Sequence, residues 1–440
     1  MHTEILRAIP RALTAALLSC LLTAGAFAQD VRDPGPRAGA ASAGGALPGL
    51  TAPDQAAFAE GLARFLEVDT PATGLGPRFN GNACAQCHAQ PGVGGSSPPI
   101  NPQFYAAVAF GAHNSIPSFL SKDGPVREAR LKRNPDGTAA GGVADLFVIA
   151  GRTDAPPACA IKQPDFAREV RLHNVIFRIP TPVFGGGLIE AITDDTIVAN
   201  KIAYATLKLR LGIHGHENRN GNDGTITRFG WKAQNKSLLL FAGEAYNVEQ
   251  GVTNPLFTTE REENSLCATN ALPEDHDNFG ETAAVKVPSD IVMFAAFMKR
   301  LAPPQPAALT TAAATRGKEL FTQVGCGLCH TPTLPTGLSD IAQLNQTPAS
   351  LYSDLLVHHM GTGLADGVSQ GNAGPDEFRS APLWGLGQRL FFLHDGRTSD
   401  LLAAIEAHKS PGSEANWVIR AFNRLPGKDE QAILDFLRTL

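Results

Sequence analysis

Two short stretches carry the chemistry: Cys84-Ala-Gln-Cys87-His88 and Cys326-Gly-Leu-Cys329-His330. Two thiols separated by two residues and followed at once by an imidazole form the attachment pattern for haem c. The thiols add to the haem vinyl groups and the adjacent histidine is delivered to the iron. A thioredoxin-like dithiol or half a zinc site would need neither the histidine nor a second copy. The reading is therefore two covalently bound haem c groups, with His88 and His330 as proximal ligands. Cys159 and Cys267 remain outside these motifs, and in an oxidising compartment they read either as a structural disulfide between two long loops or as free thiols.

Elements that could position these motifs are visible around them. Arg316-Gly-Lys-Glu-Leu-Phe321, followed by Gly325-Cys326, looks like the leading helix of a class I cytochrome c, with Gly317 and Phe321 four apart on one face. Asp429 to Leu440 closes the chain as an amphipathic helix through Ile433, Phe436, Leu437 and Leu440. Before the first motif, Gln55 to Leu66 repeats the arrangement with Gly61 and Phe65. The expected fold is mainly α, with two class I cytochrome c-like haem domains and a long loop-rich insertion in the first. The expected boundaries are a signal peptide over 1–28, a flexible Ala/Gly/Pro-rich leader over 29–50, an N-terminal haem domain over 51–300 and a C-terminal one over 313–440. Residues 110–290 carry the insertion, and Ala302-Pro-Pro-Gln-Pro306 reads as the linker.

The leader has the basic start, short apolar stretch and Ala26-Phe27-Ala28 cleavage site of an export signal, which points to the periplasm. A lipidated Cys20 is the competing reading. No segment has the length of uninterrupted apolar sequence that a membrane-spanning helix needs. With 37 Lys+Arg against 42 Asp+Glu, a net charge of −5, there is no basic field to hold nucleic acid.

Across roughly residues 60–440 the chain resembles the dihaem oxidoreductases of peroxidase type, also called thiol oxidoreductases, which are related to the bacterial dihaem cytochrome c peroxidases. The matching stretches are Gly76–Asn80, Cys84–Gly95, Arg178–Ala191, Arg228–Gln234, Gly251–Pro255, Met360–Asp366 and Phe378–Arg397. The resemblance implies a low-spin electron-transfer haem at His330 with His408 as its distal ligand, reached through Phe392-Leu-His394-Asp-Gly-Arg397. Met360 is the rival ligand. Where the peroxidase relatives carry a distal histidine at the first haem, this chain has Phe104. Tyr105, His113 and His173 are possible substitutes, and an absent ligand would leave the first haem open. The resemblance also places Trp231 between the haems as an electron path, against the plain alternative of a core tryptophan, and packs Trp384 against the second haem.

Residue chemistry adds further candidates. O–O cleavage at an open haem needs a proton carrier, and Glu249 is the first choice with Glu190 second, against the plain alternative for either of a solvated or capping carboxylate. Arg178 or Arg397 could pair with haem propionates. Asn218-Arg-Asn-Gly-Asn-Asp223 clusters oxygens of the kind calcium takes, or is a polar turn. His214 and His216 are a weak metal signal. The leading reading is an exported dihaem peroxidase that reduces hydrogen peroxide at the N-terminal haem, supplied with electrons through the C-terminal haem by a small donor cytochrome or copper protein. Catalytic roles go to Trp231 and Glu249. The alternatives are a non-enzymatic electron carrier, and an oxidase or oxygenase acting on an organic or protein substrate.

Overall fold

The computed structural model describes residues 30–440 except 263, 281, 283 and 284. The expected signal peptide and Cys20 lie outside the described residues. The fold is helix-rich, with a few two- to four-residue strands. Among the described residues no helix is long and apolar enough to cross a membrane.

The helix Ala312–Gln323, capped by the Thr311 side chain, crosses the C-terminal helix Gly427–Leu437. Gly317 sits at the crossing, where a Cβ would lie 1.8 Å from the Ala432 carbonyl oxygen and 2.8 Å from the Phe436 Cβ. Phe321 then meets Phe436 edge-on at 5.6 Å. The same device recurs in the first half. Helix Ala52–Leu66, capped by Thr51, crosses helix Asp290–Arg300. A Cβ on Gly61 would lie 2.4 Å from the Met293 carbonyl, and the Phe65 ring lies tilted against Phe297 at 4.8 Å. In both pairs a glycine lets the backbones touch, and an aromatic one turn later fills the gap that close approach creates. The short helices Cys84–Cys87 and Cys326–Leu328 hang beneath these crossings.

Between the paired helices of the first half lies a region built largely from turns. A three-stranded antiparallel sheet sets Glu128–Leu131 between Val143–Ala144 and Val175–Arg178, with Glu128 opposite Arg178 and Arg130 opposite Ile176. Strand alternation puts Glu128 and Arg130 on one face. A disulfide joins Cys159 to Cys267 across 108 residues, within a cluster that includes Phe79, Phe147 and Phe166.

The stretch expected to be a loose leader is held down from residue 30 onward. The Leu47 amide donates to the Arg300 carbonyl at 2.8 Å, and the Arg37 amide to the Gly387 carbonyl. Asp33 pairs with the buried Arg438, and Leu47 and Leu50 enter the largest core. Composition does not reveal this, because part of the fastening is backbone hydrogen bonding, which does not depend on side-chain type, and the rest comes from side chains such as Asp33, Leu47 and Leu50.

Gly317→Ala tests the helix crossing. Helix propensity favours alanine by about 1 kcal/mol, yet the new methyl cannot fit, and overpacking of this kind typically costs about 1–3 kcal/mol. Gly317→Ala is therefore expected to lower the denaturant midpoint, with the loss exceeding the propensity gain. An unchanged or higher midpoint would mean the helices can move apart freely.

Candidate active site

Each C-x-x-C-H stretch opens onto its own cavity. The first, of about 1090 Å³, is walled by Cys84, Cys87 and His88, by Glu128, Arg130 and Arg178 from the sheet, and by Tyr246, Glu249 and Gln250. The last three belong to a single π-helical turn, Tyr246–Gln250, at the end of helix Leu238–Ala245. Turns of this kind are frequent at functional sites because they push several side chains to one side. His88 Nδ1 lies 3.0 Å from the Gly95 carbonyl, and burial lowers its pKa to about 4. The ring is thus neutral, with the Nδ1 proton held by a carbonyl and the Nε2 lone pair left for a metal.

The second cavity, of about 1440 Å³, is lined by Cys326, Cys329 and His330, with His408, Met360 and His394 also at its wall. His330 repeats the posture of His88, with Nδ1 3.0 Å from the Tyr352 carbonyl and a pKa lowered by burial to about 4. His408 does the same, with Nδ1 2.8 Å from the Ala404 carbonyl and its pKa also lowered by burial. Both imidazoles therefore offer a neutral Nε2. Met360 packs with Leu364, Phe378 and Ala407. Beside Cys329, His358 is clamped between Glu414 at 2.8 Å and Asp354 at 3.1 Å. Despite the opposing effect of burial, the neighbouring Cys329 and Asp354 raise its pKa well above the ordinary value.

Trp231 lines both cavities. Its indole N–H donates to the Ile179 carbonyl at 2.9 Å, and its own carbonyl accepts from the Arg379 amide at 2.9 Å. On its second-cavity side it meets the edge of His394 at 6.4 Å, and His394 stacks on Phe378 at 4.2 Å.

Whether these cavities suit haem can be judged from their unsatisfied groups. Arg379 and Arg389 are buried at the wall of the second cavity, and burial pushes both down to about 10. Arg379 Nε and Arg389 Nε and Nη2 have no hydrogen-bond partner among the described residues. Arg389 lies over the Trp231 ring at 5.9 Å. Two buried cations without an anion are costly, and the two carboxylates of a haem are the anions that would complete them. The residues fit the group.

In the first cavity two carboxyl groups meet. Glu249 is within hydrogen-bonding reach of Glu128, and its pKa is raised well above the ordinary value, first by burial and then by the charge of Glu128. Arg130 Nε binds Glu128, which is held in its ionised form despite burial. The pair thus shares one proton. Glu128 could not be singled out from sequence, because its strand and the turn carrying Glu249 lie far apart in the chain. Arg379 and Arg389 lie inside the matched stretch Phe378–Arg397, but nothing in the sequence marks them as unpaired.

Several expected site residues fall elsewhere. Tyr105, His113 and His173 are exposed and none reaches the first cavity, while Phe104 packs into the disulfide-centred cluster. Among the described residues of that wall, His88 is the only histidine. Glu190 accepts from the Leu238 amide at 2.8 Å and so caps a helix. Arg178 lines the first cavity but is paired with Asp366 at 2.8 Å, and Arg397 is paired with Asp395 at 2.7 Å away from both cavities. Trp384 fills the slot left by the missing side chain of Gly185 and packs in the main core instead of against the second cavity. The turn considered for calcium spends its oxygens internally. Asn218 Oδ1 accepts from the Arg219 and Asn372 amides, Asn220 Oδ1 from the Asn222 amide, and Asp223 pairs with Lys236. These oxygens do not converge on a cation. His216 pairs with Glu377 at 2.7 Å, and His214 is exposed.

Comparison with known proteins gives one family match. The family model described as "Di-haem oxidoreductase, putative peroxidase" matches residues 150–440. The match takes in Cys326–His330 and begins after Cys84–His88. No curated relative matches the chain. Among solved structures, a variant of the dihaem peroxidase BthA from Burkholderia thailandensis is 17% identical, with 93% of this chain and 91% of that chain covered and a TM-score of 0.33. A MauG-like protein associated with microbial copper homeostasis is 17% identical over 59% of this chain and 90% of that one, with a TM-score of 0.30. A hydrazine synthase from Kuenenia stuttgartiensis is 16% identical over 37% of this chain, with a TM-score of 0.23, and the chain spans 59% of its length.

The carboxyl pair makes a pH prediction. A glutamic acid whose folded pKa is raised keeps its proton while the unfolded chain, with its ordinary pKa of about 4.3, has released it. The folded state then binds more protons, so this group makes stability fall as pH rises from that value toward the folded pKa. Glu249→Gln should flatten this decline in denaturant unfolding measured from mildly acidic to neutral pH. An unaltered pH profile would show that Glu249 ionises normally in the folded protein.

Proposed function

This chain belongs to the di-haem oxidoreductase family, and from that premise we propose that it is an exported, periplasmic dihaem c-type enzyme of the cytochrome c peroxidase type, which reduces hydrogen peroxide. The observation that carries this reading is the unequal surroundings of the two cavities. Besides His330 the wall of the second cavity carries the neutral imidazole of His408, whereas the described wall of the first offers no histidine beyond His88. In this reading Cys84 and Cys87 attach the first haem and Cys326 and Cys329 the second, by thioether bonds. His88 holds one iron, and His330 with His408 holds the other.

An iron with an open coordination position supplies peroxide binding and electron transfer. The protein residues do the rest. With peroxide bound there, the ionised Glu128 would take a proton from it while the protonated Glu249 gives its own to the oxygen that leaves as water. Burial, reinforced by the charge of Glu128, raises the Glu249 pKa and so favours its protonated form. Arg379 and Arg389 neutralise propionates of the second haem. Trp231, which touches both cavities, relays electrons delivered by a small donor cytochrome or copper protein.

Low-temperature electron paramagnetic resonance of the fully oxidised protein tests the assignment. One high-spin and one low-spin ferric signal are expected, with His408 substitution converting the low-spin signal. Two low-spin signals, or conversion only when Met360 is replaced, would overturn the ligand assignment. Trp231→Phe should slow interhaem electron transfer while both haems remain bound, and an unchanged rate would leave Trp231 a packing residue. Arg389→Gln should lower the reduction potential of the second haem, because removing a buried positive charge favours the ferric state. A loss of roughly 1.4 kcal/mol of interaction corresponds to about 60 mV for one electron. A potential that stays put would place the guanidinium away from the haem.

A further inference from the structure

The π-turn that presents Glu249 also presents Tyr246, which is buried and lies on the wall of the first cavity. The Tyr246 hydroxyl donates to Asp69 Oδ2 at 3.2 Å. Asp69 is buried as well, and the groups that reach its side chain are neutral. The Thr73 hydroxyl donates to Oδ1 at 3.1 Å, and the Gln250 amide, in the orientation that satisfies both of its ends, lies 2.8 Å from Oδ2. The charges that act on it are those of Glu67 and Asp290, each paired with Arg64, which does not itself reach the Asp69 side chain. Burial, reinforced by these charges, raises Asp69 to about 7. A buried carboxylate without a cation is expensive, and packing alone would be served by a phenylalanine at position 246. The phenol and its proton acceptor are therefore a feature that stability does not explain.

An aromatic path joins this pair to the first motif. Tyr246 meets Phe294 edge-on at 5.1 Å, Phe294 meets Phe65 at 6.3 Å, and Phe65 meets His88 at 6.1 Å. A tyrosine beside an oxidising centre loses an electron readily only when its proton has somewhere to go, because the protonated radical cation is a strong acid. Here the acceptor is already hydrogen-bonded.

Resting on the peroxidase reading above, we propose that Tyr246 is a redox-active residue of the first site, giving one electron to the peroxide-oxidised centre and its phenolic proton to Asp69. The step balances. Hydrogen peroxide takes two electrons and two protons to become two waters. Tyr246 supplies one electron as its O–H bond breaks and an O–H bond forms on Asp69. The other electron comes through Trp231, and the two protons come from solvent by way of Glu249 and Glu128. A later electron from the donor protein reduces the tyrosyl radical, and Asp69 returns the proton. Tyr246 would thus hold an oxidising equivalent near the first haem when donor is scarce.

The test uses the full-length holoprotein, mixed with hydrogen peroxide without donor and freeze-quenched for electron paramagnetic resonance. A phenoxyl radical is expected whose hyperfine pattern collapses when the protein is made with ring-deuterated tyrosine. Tyr246→Phe should abolish the signal and Tyr352→Phe should not. Asp69→Asn should slow its appearance while both haem spectra stay those of the parent. If wild-type protein consumes peroxide but forms no phenoxyl radical, or if the radical persists in Tyr246→Phe, this inference fails and the peroxidase reading stands. If wild-type protein does not consume peroxide at all, the peroxidase reading fails and takes this one with it. Should Tyr246→Phe not retain both haems, the isotope experiment and Asp69→Asn decide: a radical that forms at the parental rate in Asp69→Asn would overturn the proposal.

Discussion

A metal-ligating imidazole must be neutral and must present one chosen nitrogen, and much of this fold serves that constraint. His88, His330 and His408 meet it in the same way, each with Nδ1 against a backbone carbonyl and each kept unprotonated by burial. Burial on that scale needs walls. Helix pairs crossing at Gly61 and Gly317 supply them, since any larger side chain there would hold the helices apart and admit water. The carbonyls at Gly95 and Tyr352 come from loops that irregular backbone can aim where a helix could not. Glycine-dependent packing and loop-dependent hydrogen bonding are thus two halves of one requirement.

The junction between the cavities answers a second constraint. Trp231 is fixed at both ends, by its indole N–H on Ile179 and by its carbonyl under the Arg379 amide. Ile179 in turn donates its amide to the His394 carbonyl at 2.8 Å. The indole is thus held by Ile179 and the backbone of the same residue by Arg379. Arg389 over the same ring adds a positive charge on the second-cavity side.

Sequence alone revealed what local pattern encodes. The two Cys-x-x-Cys-His motifs, the glycine–phenylalanine spacing of the leading helices and the closing amphipathic helix are all contained in short windows, and Gly61, Phe65, Gly317 and Phe321 all sit at the crossings. The partner of the first leading helix, Asp290–Arg300, lay unrecognised at the end of a turn-rich stretch, although Phe297 plays there the part that Phe436 plays in the second pair. What stayed hidden was pairing. Glu128 and Glu249 meet through a strand and a π-turn that no periodicity announces. The unpaired state of Arg379 and Arg389 is a fact about every neighbour at once. Trp384 packs elsewhere for the converse reason: it sits near the expected place in sequence, but a glycine slot claims it first.

The two cavities also differ in what charge they can move. Reducing peroxide consumes protons together with electrons, so a centre that receives electrons in a dry cavity without protons would build up buried negative charge. The first cavity holds the Glu128–Glu249 pair, with the Glu249 pKa raised by burial and by the charge of Glu128, and Tyr246 bonded to Asp69, whose pKa is about 7. The second cavity holds Arg379 and Arg389, which keep their protons, and His358, whose charged form is stabilised between Asp354 and Glu414. Its fixed cations can set a potential but cannot supply a proton to a reaction. On the function proposed above, this contrast in charge favours placing the bond-breaking step beside His88.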